Sequence, residues 1–205
     1  MRYILASASP RRKELIRLIG IDPVIEPSTL EEDVQTSDPA ELVKKLSAQK
    51  AEDIASRHHD GEIVIGADTC VYVPAWRDEM HAEAGAEMPA VGEILGKPHT
   101  HPEAAEMVRK LQGRTHEVYT GVTIIRCGAA LSVPHTFVEK TAVTVYPMTE
   151  EEITLYSLLE EPMDKAGAYA VQGTFSRFIK SLDGDYFNVM GLPLGRLYHE
   201  LKALV

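Results

Sequence analysis

Residues 7–12 read Ser-Ala-Ser-Pro-Arg-Arg and follow the short apolar run Tyr3-Ile4-Leu5-Ala6. A strand that turns into a helix at this point leaves the first N–H groups of the helix unpaired, and that end of the helix favours an anion. Ser9 suits the capping position and Pro10 the first helical position, while Ser7 offers a hydroxyl on the strand side of the bend. Arg11 and Arg12 add planar forks that match phosphate oxygens. The same residues also describe an ordinary capped helix with two solvated arginines. The bend alone therefore leaves phosphate binding and plain capping both open.

Three further segments carry chemistry. Asp68 follows Ile63-Val64-Ile65-Gly66-Ala67 and is expected to close that apolar strand at the lip of a sheet, where ligands of α/β proteins gather. There it would bind a metal or take a proton from water; the competing reading is an aspartate that caps a turn. Gly96 and Pro98 hold Lys97 in a fixed bend, either as a phosphate contact or as a solvated lysine. The stretch from Glu161 to Gly173 combines glycines with Asp164, Lys165 and Gln172, which fits a backbone that approaches a ligand closely or a simple β-bulge. The histidine pairs His58-His59 and His99/His101 lack zinc-motif spacing and are expected to be exposed.

The elements that must position these residues follow from periodicity and caps. Strands are expected at 3–6, 62–68, 117–126, 137–146 and 175–181, with 117–126 and 137–146 as an antiparallel pair. Helices are expected at 11–19 with Leu15, Ile16, Leu18 and Ile19 inward, from Asp38 to about residue 57, from Thr100 to Gly113, from Thr149 to about 159, and from Pro193 onward. Residues 74–91 show neither period and read as a surface excursion. This order mixes βαβ steps with hairpins, so the expected fold is α/β, with a mixed twisted sheet and flanking helices in a single domain over 1–205 whose two lobes flank a cleft.

Composition narrows the classes. A chain of 205 residues with 44% hydrophobic and 25% charged residues has the make-up of an ordinary globular protein. The formal charge of -10, without a basic face, argues against nucleic-acid and anionic-membrane partners; a small phosphate compound gripped locally, with a divalent cation, fits better. No run reaches the length of a membrane span, and Cys70 and Cys127 lack the spacing of a metal site or disulfide framework, so a cytoplasmic protein with buried thiols is expected.

Taken in order, Ser7-Ala8-Ser9-Pro10-Arg11-Arg12, Gly66-Ala67-Asp68-Thr69, Gly96-Lys97-Pro98, Asp164-Lys165-Ala166-Gly167, Asp183-Gly184-Asp185-Tyr186 and Gly191-Leu192-Pro193 resemble the Maf family of nucleoside triphosphate pyrophosphatases over nearly the whole chain. The resemblance implies a cytoplasmic enzyme that cleaves a nucleoside triphosphate between the α and β phosphates, a divalent metal cation (Mg or Mn) as cofactor, a fold like that of Maf and inosine-triphosphate pyrophosphatase proteins, and a homodimer in many members. It makes Asp68 the proton acceptor and Ser7, Arg12, Glu32, Lys50 and Lys97 residues of the catalytic pocket. Glu32 and Asp68 become the metal ligands. Arg11, Thr69 and Gln172 match the positions that sort the family by base and look like the dTTP/UTP branch. The Gln172 carboxamide also complements the N3–H and O4 of uracil or thymine, and modified pyrimidine nucleotides share that edge. The stretch 74–91 is longer than this family usually has. A nucleotide-binding regulator of cell division and septum formation, without important turnover, is the rival reading.

Overall fold

The computed structural model describes residues 1–32, 34–59, 61–75, 92–128 and 133–204. Most of the expected excursion at 74–91 lies outside them. The described strands form a mixed sheet. Strand β1 (Arg2–Leu5) runs parallel to β2 (Val24–Ile25) and to β3 (Glu62–Val73), with Ile4 opposite Val64 and Leu5 opposite Ile65. Strand β4 (Glu93–Leu95) pairs antiparallel with β3, and β5 (Thr115–Arg126), β6 (His135–Val145) and β7 (Ile179–Asp183) complete the order β2-β1-β3-β5-β6-β7. Threonine pairs bridge β5 and β6: Thr115 meets Thr144 and Thr123 meets Thr136, both at 2.9 Å, so the two strands run in opposite directions as expected.

The chain divides into two compact units. One comprises Met1–Thr69, Val118–Thr141 and Gly184–Val205, the other Cys70–Glu117 and Ala142–Asp183. In the first unit, alternation along β3 sends Ile63, Ile65 and Ala67 to one face, where they pack with Leu15 and Ile16 of α1 (Pro10–Leu18) and Leu194, Leu197 and Leu201 of the last helix (Leu194–Leu204). Val64 points the other way and joins Ala51 and Ile54 of α2 (Pro39–Ala55). Helix α2 lies almost on the strand backbones: a Cβ at Gly66 would stand 2.4 Å from the Ser47 carbonyl oxygen, and one at Gly121 would stand 2.2 Å from that of Val43. These two glycines let the helix approach closely enough for Lys50 to reach β3.

The second unit holds α3 (His101–Leu111) and α4 (Glu150–Ser157), started by Thr100 and by a full Thr149/Glu152 capping box. Its core is aromatic: Phe175 packs on Tyr156 and Tyr169 at centroid separations of 5.0 and 4.9 Å, and on Phe178 at 5.6 Å. Between α4 and β7 the chain makes three short 3-10 turns. A four-residue helix, α5 (Tyr186–Val189), precedes the last helix, α6 (Leu194–Leu204).

Several expectations are corrected. Strand β3 does not stop at Asp68 but continues through five more residues of mostly β-forming type to Val73. The expected strand at 175–181 begins only at Ile179, because residues 174–178 coil into a 3-10 turn. Leu18 is 68% exposed, since two residues beyond the buried Ile16 a helix has turned to the opposite side. His58 is not exposed: its ring nitrogens each lie 2.9 Å from a carboxylate, of Glu26 and of Glu62. Cys70 and Cys127 are buried thiols, and no helix among the described residues is long and apolar enough to cross a membrane.

Candidate active site

The bend after β1 folds for local reasons. Ser9 is extended at the helix start and its hydroxyl accepts from the Arg12 N–H at 3.4 Å, Pro10 fills the first turn, and the Ser9 N–H donates to Ser7 Oγ at 3.3 Å. Strand β1 leaves the sheet here, its last ladder bond running from the Ala6 N–H to the Ile65 carbonyl at 2.9 Å. Past Ile65, the carbonyl of Ala67 on β3 is taken up by a side chain: Arg12 Nη1 donates to it at 2.9 Å.

Arg12 is braced on all sides. Its Nη1 also donates to Ser7 Oγ at 3.1 Å, its Nη2 to Thr69 Oγ1 at 2.9 Å and its Nε to the Gly191 carbonyl at 2.8 Å. A guanidinium has five N–H donors. Four are held by the described residues, and one on Nη2 has no partner among them. Burial lowers the pKa of Arg12 from its ordinary value, while the negative charge of Asp68 opposes that shift and the positive charge of Arg11 adds to it. The group still remains a cation at any physiological pH. The Gly191 backbone that presents the carbonyl has φ +106°, a conformation suited to glycine.

The acid lies one residue from Thr69 and therefore on the other face of the strand, towards α2. There Lys50 Nζ donates to Asp68 Oδ1 at 2.5 Å and lies 2.7 Å from Glu32 Oε1. The Lys50 and Asp68 side chains are largely buried, at 18% and 14% exposure, whereas Glu32 is 54% exposed. Asp68 and the guanidinium thus do not share a face of β3, yet the charge of Asp68 bears on Arg12. The two carboxylates converge on one ammonium. Hard oxygen donors gathered around a single cationic point are the set that Mg2+ or Mn2+ takes when phosphates supply further ligands, so these residues fit a divalent cation. Among the described residues no cluster of three or more His, Cys, Asp or Glu side chains suits a metal.

Ser7, Arg11, Arg12, Glu32, Lys50, Asp68 and Thr69 all belong to the first unit, while Lys97 and Gln172 belong to the second. Lys97 is exposed in the turn after β4, and the Gly96 carbonyl before it accepts from the Gly167 N–H at 2.9 Å, which ties that turn to the glycine-rich stretch. Gln172 is also exposed. The turn that follows it is clamped by Glu161, whose carboxylate accepts from the Thr174 and Phe175 N–H groups at 2.6 and 3.2 Å and from the Tyr156 hydroxyl at 3.0 Å. Two partners of Arg12, the carbonyls of Ala67 and Gly191, went unforeseen. Both residues stand in the motifs quoted above, but a backbone acceptor has no signature in residue type.

Comparison with known proteins gives the family and the fold. A family profile described as Maf-like protein matches residues 2–204. A dTTP/UTP pyrophosphatase of Lachnoclostridium phytofermentans is 44% identical over 98% of this chain and 94% of its own length, and one of Bacillus cereus is 45% identical over the same shares. A dTTP/UTP pyrophosphatase of Agathobacter rectalis is 44% identical over 99% of this chain and 97% of its own length. Among solved structures, the Ham1 protein of Staphylococcus aureus superposes with a TM-score of 0.52 at 14% identity over the whole of both chains, and a HAM1 protein from Coxiella burnetii with the same TM-score at 11% identity, covering 100% of this chain and 98% of that one. These structures share the fold. With its motifs in order and near full-length relatives on both measures, the chain belongs to the Maf family.

Proposed function

We propose that the chain is a nucleoside triphosphate pyrophosphatase that hydrolyses dTTP and UTP to the monophosphate and pyrophosphate. The observation that carries this reading is the cationic point held by two carboxylates, Lys50 between Asp68 and Glu32, beside the braced fork of Arg12. The names of the near full-length relatives support it.

Hydrolysis at the α phosphorus forms one bond from a water oxygen and breaks the bridging bond to the β phosphate, whose oxygen leaves with the electron pair. Asp68 takes the proton of the attacking water on Oδ2, since Oδ1 accepts from Lys50. The remaining Arg12 N–H holds the phosphates, and the third Lys50 N–H offsets the charge that builds on the leaving oxygen; the family resemblance adds Lys97 as a phosphate contact. A divalent cation, held by Glu32 and Asp68, would supply further charge neutralisation. On the base side, the family resemblance gives Arg11, Thr69 and Gln172 as the selective positions, and a carboxamide such as that of Gln172 complements the N3–H and O4 of uracil or thymine. The compartment on this reading is the cytoplasm, and the family resemblance adds a homodimer.

Pyrophosphate release over a panel of nucleoside triphosphates with Mg2+ or Mn2+ tests reaction and base together. The expected result is fastest release from dTTP and UTP, with the monophosphate as second product. Preference for GTP overturns the base assignment, and binding without release favours the regulatory reading.

A further inference from the structure

Thr120 on β5 is fully buried, and nothing in the proposed reaction uses it. Its hydroxyl lies 3.1 Å from the Asn188 carbonyl oxygen, which can only accept, so the single Thr120 proton goes there. The Thr69 hydroxyl lies 2.9 Å from that of Thr120. With the Thr120 proton committed to Asn188, Thr69 must be the donor in this pair. Towards Arg12 Nη2, at 2.9 Å, the Thr69 oxygen is then an acceptor, and a guanidinium can only donate. Every link of the chain from Arg12 through Thr69 and Thr120 to Asn188 has one possible direction.

The far end of this chain is fixed as well. Asn188 is fully buried, and its Nδ2 donates to the Val118 carbonyl at 3.1 Å and to Thr141 Oγ1 at 2.9 Å, while Thr141 donates onward to the Asp185 carbonyl at 3.0 Å. All of these residues lie in the same compact unit.

We propose that Thr120 is a positioning residue for substrate binding: by turning the Thr69 proton inward it keeps the Thr69 oxygen open to Arg12 and holds the guanidinium in one plane, with one N–H left for the nucleotide phosphates. Without the Thr120 hydroxyl, the Thr69 proton rotates and competes with the Arg12 N–H for the same space. The inference rests on the reading of Arg12 as a phosphate contact.

Steady-state pyrophosphate release from UTP separates the two ideas. Compared with wild type, Thr120→Val raises KM roughly fivefold with kcat changed less than about twofold, and Thr120→Ser restores KM, because only the hydroxyl matters. In an Arg12→Lys background, Thr120→Val adds less than about twofold, since a lysine has no fork to hold. If Thr120→Val lowers the melting temperature and leaves KM as in wild type while Arg12→Lys raises it, Thr120 is only structural and the proposal fails on its own. If Arg12→Lys leaves KM unchanged, the phosphate role of Arg12 fails and takes the proposal with it. Should Thr120→Val not fold, Thr120→Ala, which removes the hydroxyl without adding bulk, must show the raised KM; a wild-type KM there overturns the proposal.

Discussion

An ammonium between two carboxylates carries a net negative charge, and that imbalance is what a proton acceptor beside a phosphate needs. Lys50 holds Asp68 through one oxygen only, and the side chain keeps 14% of its surface open to solvent. Asp68→Asn keeps the volume and a hydrogen-bonding oxygen but removes the base. It should melt within a few degrees of wild type and lose on the order of 10²-fold or more in pyrophosphate release. Retained turnover in that variant removes Asp68 from its role. At this scale the residue types were legible: a lone acid after an apolar run, two arginines after a serine and a proline. Their partnerships were less so. The ion pairs among Glu32, Lys50 and Asp68 join three separate stretches of chain, and the four bonds that brace Arg12 end partly on backbone carbonyls of Ala67 and Gly191.

Helix α2 and strand β3 together make the acid site, and they can do so only because two strand positions have no side chain. A methyl group at Gly66 would sit 2.4 Å from the Ser47 carbonyl oxygen and 2.8 Å from the Ala51 nitrogen, both on the helix backbone, which cannot step aside without moving Lys50. Gly66→Ala should therefore destabilise the protein by about 1–3 kcal/mol, as overpacking does, and lower turnover in the fraction that stays folded. Denaturant titration and pyrophosphate release read the two effects. Gly20→Ala offers the contrast: no atom lies within 4 Å of its added methyl, although φ of +80° still strains an L-residue, so any loss there is of stability without a matching loss of turnover in the folded enzyme. Helix starts were readable in the sequence because a cap is local: Ser9, Asp38, Thr100 and Thr149 each accept from an N–H two or three residues on. The end of β3 was not readable. An aspartate reads as a strand breaker, but here its side chain is taken up by Lys50, so tertiary context overrides propensity. Strands of two or three residues, such as β2 and β4, carry no period to detect.

Across the whole molecule, one buried group brings a loss of stability on the acid side. His116 is 1% exposed, its Nε2 lies 2.8 Å from the Tyr169 hydroxyl, and burial pushes its pKa from 6.5 down to about 3. The folded protein keeps this ring neutral, while the unfolded chain takes a proton below pH 6.5. Between those two values the unfolded state binds more protons, so stability rises with pH through the window and falls as the solution is acidified, by an amount on the order of a few kcal/mol. Glu161, Glu62 and Glu200 act lower. Glu161 is held down by the backbone N–H groups of Thr174 and Phe175 against the opposing effect of burial, Glu62 by the His59 N–H and the His58 ring, and Glu200 by the His135 ring. A carboxyl with a depressed pKa contributes above its unfolded value near 4.5 and loses that contribution as pH falls through the folded one. Melting temperature should thus decline from about pH 6.5 to pH 5 through His116, and drop more steeply once the carboxyls join. His116→Gln keeps a partner for Tyr169 and has no proton to gain, so its melting temperature should decline less than that of wild type between pH 6.5 and pH 5. An equal decline in that variant would mean that the buried ring is not what the unfolding equilibrium senses, and that the first acid transition belongs to other groups.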